Sequence, residues 1–410
     1  MNQPHQRDII LLFSTRIIRL FCYGFLSVVL ALYLTETGFD EKMVGLLFTL
    51  TLAGDAGITL FLTTRADRFG RRKTLLVGAL LMVAAGAVFI ITHNIIILMT
   101  AAIIGVISPS GNEIGPFLSV EQASLSQLIS NEKRTKVFAW YNTVGSFATA
   151  TGALAGGWLA QILHNNGMTQ LESYRLVLMG YGLGGLLLVM LFLFVSPAIE
   201  VTQVSETKHT LGLHRSRKIV FKLSALFALD AFAGGLIVQS MIAYWFHVKF
   251  HVNAGALGSI FFGANVLAGI SALLAVPLAT RFGLINTMVF THIPSNILLM
   301  LVPLMPTLPL AIGILLLRFS ISQMDVPTRQ SYTMAVVAPD ERSAASGVTS
   351  IARSVGAAIS PMLTGLFFSV PMLFNAPFFL TGSLKIVYDL LLYQSFKSIK
   401  PPEEKKETVA

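Results

Sequence analysis

Long apolar runs follow one another from residue 9 to residue 396 with only short polar breaks, and this succession constrains the chain more than any other feature. A helix that crosses a bilayer needs about 20 mostly apolar residues, because the hydrocarbon layer is about 30 Å thick and each residue rises about 1.5 Å. Hydropathy and charge breaks place such runs near 9–34, 43–64, 73–92, 95–128, 137–161 and 175–196. Six more fall near 219–246, 255–279, 286–305, 308–337, 343–370 and 374–396. Twelve helices use up most of the 410 residues. Only 12% of the chain is charged and its mean hydropathy is +0.73, against about 25% charged in soluble domains. An all-α membrane protein is expected. The first run is too long for a cleaved signal segment and reads as an uncleaved first helix.

The net charge of +9 raises the question of nucleic acid, and its distribution answers it. With both termini in the cytoplasm, 20 of the 29 lysines and arginines fall in cytoplasmic segments, and only Lys42, Arg175 and Lys249 fall in outside loops. The remaining six lie within spans. This is the positive-inside pattern, so the charge sets orientation and no nucleic acid partner is expected. Cys22, the one cysteine, sits in an apolar run, which leaves no disulfide framework and no cysteine metal cluster.

The fourth run is too long for one straight span, since residues 95–128 would make a helix of about 50 Å. Ser108, Pro109, Ser110, Gly111, Gly115 and Pro116 are expected to bend or unwind it. Irregular backbone at membrane depth is tolerated only where it is buried in protein or lines a water-filled cavity. Residues 109–116 are therefore a candidate substrate-lining segment.

The two halves resemble each other at an offset of 208 to 213 residues. Arg19, Phe21, Gly24 and Tyr33 fall opposite Asp230, Phe232, Gly235 and Tyr244. Ala66, Arg68, Phe69, Gly70 and Thr74 match Ala279, Arg281, Phe282, Gly283 and Thr287, and Glu132, Arg134, Thr135 match Asp340, Arg342, Ser343. Gly152 to Gly157 falls opposite Ser360 to Gly365. A duplicated six-helix unit follows, a plan used by transporters that bind substrate near the bilayer midplane. The expected domains are an N-terminal bundle (1–196), a cytoplasmic linker (197–218), a C-terminal bundle (219–396) and a disordered cytoplasmic tail (397–410).

The loop Asp67, Arg68, Phe69, Gly70, Arg71, Arg72, Lys73 resembles the signature GxxxDRxGRR of the major facilitator superfamily, with Thr63 where the family has its leading glycine. A degenerate copy stands at Arg281 to Gly283, and the resemblance covers nearly the whole chain. It implies twelve helices as two six-helix bundles around a central cavity, alternating access, and a conformational-latch role for Asp67, Arg68, Gly70, Arg71 and Arg72. Asp67 is expected to offer its charge to a helix N-terminus or a neighbouring arginine, while Gly70 allows a tight turn and Arg71 and Arg72 stay in cytoplasmic water. Gly152, Ala153, Leu154, Ala155, Gly156, Gly157 looks like a variant of the GPxxGG motif of the family's proton-coupled exporters, with Ala153 in place of its proline. Plain helix packing explains these glycines equally well.

Ionisable groups in hydrocarbon are costly and each is a candidate functional residue. The spans hold Arg16, Arg19, Arg318, Arg329, Arg353 and Lys385, and the acids Asp55, Glu113, Glu121, Asp230, Asp325 and Asp389. Arg16 is expected to snorkel to the interface, and Lys385 with Asp389 to form an i,i+4 pair, so these three carry less weight. Asp55 lies twelve residues from Asp67, about 18 Å along a helix. Arg19 and Asp230 are equivalent in the two repeats with opposite charge, as are Glu121 and Arg329. The resemblance implies that the first and fourth helices of each half line the cavity. The expected substrate and proton site is thus Arg19, Tyr23, Asp55, Glu113, Glu121, Asp230, Asp325, Arg329 and Arg353, with buried structural ion pairs as the other explanation. Among the aromatic residues, Tyr23 suits the cavity and Trp245 an interfacial belt.

Burial disfavours a charged carboxyl and a nearby arginine restores it, so Asp230 or Glu113 is expected to exchange a proton as its surroundings change. No complete phosphate-binding loop, HExxH or GxSxG is present, which argues against an enzyme, a bound cofactor or metal, and ATP-driven transport. The expected protein is a monomeric transporter of the inner or plasma membrane that exports a small organic compound in exchange for protons. Uptake or exchange of an organic anion stays open, motivated by Arg19, Arg329 and Arg353. A receptor or scaffold without transport stays open too.

Overall fold

A backbone in hydrocarbon must satisfy its own hydrogen bonds, and this chain does so with helices. A computed structural model of the protein describes residues 3–92, 94–129, 131–200, 214–338 and 341–399. The centre of the expected linker and the tail from residue 400 lie outside the described residues. The helices are α1 (Gln3–Ser27), α2 (Leu30–Glu36), α3 (Glu41–Phe69), α4 (Arg71–Ile91), α5 (Ile95–Ile104), α6 (Phe117–Leu128), α7 (Asn131–Asn165) and α8 (Gln170–Phe194). They continue as α9 (Arg217–Gly235), α10 (Gln239–Phe250), α11 (Ala254–Phe282), α12 (Leu284–Leu301), α13 (Leu308–Phe319), α14 (Asp325–Val336), α15 (Arg342–Phe368) and α16 (Ala376–Phe396).

Nine helices among the described residues are long and apolar enough to cross a membrane. The three other expected spans are α7 and two broken ones, α5 with α6 and α13 with α14. Start signals are local. Asp40 accepts the Met43 N–H to begin α3, Asn94 accepts from Ile96 and Ile97 at α5, and Thr169 with Glu172 forms a capping box at α8.

The chain packs as two compact units. The first holds residues 1–206 and 238–265, and the second 207–237 and 266–410. In the first unit α1 lies directly on α7. A Cβ on Gly152 or Gly156 would stand 2.0 or 2.1 Å from the carbonyl oxygens of Phe21 and Phe25, and one on Gly24 would meet the Thr149 oxygen at 2.1 Å. Gly157 faces the other way, against Ala254 and Gly258 of α11. The glycines of the exporter-like motif are thus packing surfaces for two neighbouring helices. The second unit repeats the contact between α9 and α15, where Gly356 abuts the Ala228 carbonyl and Gly235 that of Ala357.

Residues 238–265 join the first unit through side chains. Gln239 donates to Ser27 at 2.8 Å, Ser240 donates to the carbonyls of Ser27 and Pro109 at 2.6 and 2.7 Å, and Tyr244 donates to Glu41 at 2.7 Å.

Candidate functional site

Six side chains from α1, α7, the α5–α6 break and α6 close into one buried network in the first unit. Arg19 donates through Nη1 and Nη2 to the two oxygens of Glu121 at 2.9 and 2.7 Å, and through Nε to Glu113 at 2.7 Å. Arg16 donates to Glu113 at 2.7 Å and to the Tyr141 carbonyl at 2.8 Å. Tyr141 adds its hydroxyl to Glu121, as does Thr15 at 2.8 Å. Arg16 does not snorkel to the interface. It is buried beneath the Tyr141 ring, 4.2 Å from the ring centre, because Gly145 leaves room for its guanidinium. Two arginines and two glutamates balance, so the cluster is neutral and each charge has a partner.

The break at residues 105–116 shows how irregular backbone survives in a membrane. Ser240 donates to the Pro109 carbonyl, Thr149 to that of Gly111, Ser108 to that of Asn112 and Tyr23 to that of Ile114. Tyr181 donates to the Val106 carbonyl. In the other direction, the Gly115 N–H donates to Asp55 Oδ1 at 2.6 Å. Gly115 has φ +78°, a conformation that a side chain would strain. Tyr23, expected to face a cavity, is fully buried and spent on this segment.

In the second unit one carboxylate gathers three cations. Asp230 accepts from Arg329 and Arg353 at 3.0 Å each and from Lys385 at 2.6 Å. Arg329 also meets Asp325 at 2.9 Å. The Arg353 side chain keeps 34% of its surface exposed, where those of Arg329 and Asp230 keep 8% and 4%. Lys385 is not paired with Asp389 as its spacing suggests. It reaches across to α9, and Asp389 is held by His292 at 2.8 Å and by Asn296 at 3.3 Å. Arg318 stacks on Phe319 with no partner for its buried Nε.

All of these ion pairs join residues within one unit. Asp230 and Glu113, the acids expected to exchange protons, are both engaged by cations. Asp55 alone among the six intramembrane acids is held by no arginine, lysine or histidine among the described residues.

The signature loop is also tied down. Gly70 has φ +106° and ends α3, so α4 starts at once and the N–H groups of Arg71 and Arg72 need an acceptor. Glu200 supplies it at 2.7 and 3.1 Å. Arg71 is not left in water. It is buried and donates to Gln127 at 2.9 Å and to the Ile199 carbonyl at 3.1 Å. Arg72 donates to the last carbonyls of α8, Phe192 at 3.1 Å and Leu193 at 2.5 Å. Cationic donors suit a helix C-terminus, which explains why Arg72 turns inward. The side chains of Asp67 and Arg68 lie outside the described residues.

A matching clip holds the start of α9. Glu341 accepts the N–H groups of His214, Arg215 and Ser216 at 2.7, 2.6 and 2.8 Å. Burial opposes its ionisation, but the three N–H groups prevail and hold the carboxyl down to about 2. Trp245 is not interfacial. It is fully buried against Phe246 and Phe250, with Lys249 over its ring at 4.7 Å.

Sequence reasoning gave little weight to Arg16, Lys385 and Asp389 and passed over His292, Glu200 and Glu341. For Arg16, Lys385 and Asp389 the available signal was intramembrane position alone. For Glu200 it was an acid at the start of a basic linker, and for Glu341 an acid beside Asp340 just before α15.

The sequence matches the family model described as Major Facilitator Superfamily over residues 12–361 and again over 224–409. It is 31% identical to the uncharacterized membrane protein YJR124C of Saccharomyces cerevisiae, over 96% of this chain and 95% of that one. A shorter stretch, 34% of this chain and 35% of the relative, is 23% identical to the quinolone resistance protein NorA of Staphylococcus aureus. Among solved structures, a bacterial homolog of the human lysosomal transporter Spinster superimposes with a TM-score of 0.74 at 15% identity, covering 97% of this chain and 98% of that chain. A D-xylose-proton symporter gives 0.73 at 15% identity over the same shares. The signature loop, the helical duplication and the family match agree: the chain is a multi-pass membrane transporter of the major facilitator superfamily.

Proposed function

We propose that this transporter exports a small organic compound in exchange for protons. The reading rests on one observation above the others: intramembrane acids stand in both units, and one of them, Asp55, has only neutral hydrogen-bond donors. An acid at that depth is costly to keep unless it is paired or serves transport. The stretch of similarity to a quinolone resistance protein supports export over uptake. The positive-inside pattern supports a plasma or inner membrane location with both termini in the cytoplasm. The chain works as a monomer in this reading, with 1–196 and 219–396 as its repeats and 197–218 as a cytoplasmic linker.

A second reading, transport of an organic anion, is favoured by the cluster at Asp230. Three cations share this carboxylate, and the Arg353 guanidinium is the most exposed of them. A guanidinium fork fits a carboxylate or phosphate.

The test uses inside-out vesicles with an acidified lumen and a pH-sensitive dye inside. Ethidium, norfloxacin and glutarate are added in turn, with a protonophore as control. Lumen alkalinisation on adding ethidium or norfloxacin, abolished by the protonophore, supports proton-driven export. A response to glutarate alone replaces it with the anion reading. No response to any of the three, while counterflow of one of them is observed, removes proton coupling.

A further inference from the structure

Asp55 and Ser271 do the same structural work in the two units with different chemistry. In the first unit the Gly115 N–H, in the break of the fourth span, donates to Asp55 of α3 at 2.6 Å. In the second, the Gln323 N–H, at the equivalent place 208 residues on, donates to the hydroxyl of Ser271 on α11 at 3.2 Å. A hydroxyl therefore suffices to satisfy this backbone group. The carboxylate adds what a hydroxyl lacks, the ability to take up a proton.

We propose that Asp55 is the proton-carrying residue of this transporter and that its ionised carboxylate latches the break of the fourth span through Gly115. This rests on the proton-driven reading above. Thr59 also donates to Oδ1, at 3.3 Å, and Oδ2 accepts no hydrogen bond among the described residues, which leaves it open to a proton. The charged and titratable surroundings are few. Glu113, in the same break, is a like charge already held by Arg16 and Arg19, and Tyr23 of α1 donates to the neighbouring Ile114 carbonyl. Helix α5 carries no titratable residue, and those of α4 are confined to Arg71, Arg72 and Lys73 at its start. On α6, Glu121 is spent on Arg19, and on α2, Tyr33 donates to the Phe89 carbonyl and Glu36 ends the helix.

A proton on Oδ2 turns a charge-assisted bond to Gly115 into a neutral one of about half the strength. The loosened segment carries Glu113, the partner of Arg16 and Arg19, and Pro109, whose carbonyl Ser240 holds. Proton uptake at Asp55 thus reaches both the buried charge network and residues 238–265.

Hydrogen exchange of the full chain in nanodiscs, read on peptides spanning 105–116 at pH 5.5 and pH 8 after correction for intrinsic rates, tests the latch. Wild-type protection should fall about tenfold at the lower pH. Asp55→Asn keeps an acceptor oxygen but cannot titrate, and Asp55→Ser copies the second unit. Both should show the same corrected protection at the two pH values, and Asp55→Asn vesicles should lose pH-driven ethidium movement. Equal wild-type protection at both pH values, or a pH response that survives in Asp55→Asn, overturns the proposal. pH-driven movement retained in Asp55→Asn does the same and leaves the proton-driven reading standing. A pH response confined to wild type, with no pH-driven movement of any probe, upholds the latch and removes the proton-driven reading instead.

Discussion

Arg19 grips Glu121 by two hydrogen bonds with both side chains fully buried, and Asp230 with Arg329 repeats the pair in the second unit with the charges exchanged. An ion pair depends on the product of its charges, so either polarity serves the same crossing of first and fourth span. The two copies differ in what surrounds the pair. Glu113 and Arg16 complete a neutral square in the first unit, whereas Arg353 and Lys385 crowd one carboxylate in the second.

Removing one partner of such a pair strands the other charge in the membrane. Arg19→Gln is expected to cost about 3–5 kcal/mol of stability. The double variant Arg19→Gln with Glu121→Gln should recover much of that loss, as measured by thermal unfolding of the purified chain in nanodiscs. No recovery would mean that the two residues act independently.

At Asp230 the same logic gives a sharper result. Asp230→Asn leaves three cations without their shared carboxylate and should lower the unfolding temperature more than Arg353→Gln, whose side chain is a third exposed. Adding Lys385→Met to Asp230→Asn removes one surplus charge and should restore part of the stability.

Helix approach sets the glycine predictions. Gly156→Val would push a side chain into the Phe25 carbonyl and force α1 from α7, at a cost of about 1–3 kcal/mol or more. Gly347→Ala in α15, where nothing lies within 4 Å of the new methyl, should be neutral or stabilising by up to about 1 kcal/mol. Paired melting curves separate the two.

Glu341 makes a pH prediction. Its folded carboxyl lies near 2, below the ordinary value of 4.5, so its contribution to docking residues 214–216 is complete above about pH 4.5 and vanishes as the pH falls towards 2. Glu341→Gln should therefore destabilise the protein at neutral pH, with a difference in unfolding temperature that shrinks through that window. At pH 7, trypsin should cut after Arg215, Arg217 or Lys218 faster in the variant than in wild type.

The spans, the duplication and the signature loop were legible in the residues, because each is a local pattern: about 20 apolar residues per crossing, a repeat in register, a glycine between two helices. The unwinding of the fourth span was legible too, since Pro109, Gly111, Gly115 and Pro116 cannot continue a helix of that length. What sequence could not decide was pairing. Lys385 stands four residues from Asp389, yet it serves Asp230, and Asp389 goes to His292. Arg71 and Arg72 look like solvated loop charges, yet they close the end of α8 and the segment after it. A buried charge is stabilised by whichever partner the packing of distant helices brings within about 3 Å, and spacing along one helix says nothing about its neighbours across the bundle. The residues fixed which charges had to be buried; the packing of α1, α6 and α7, and of α9, α14, α15 and α16, fixed which of them meet.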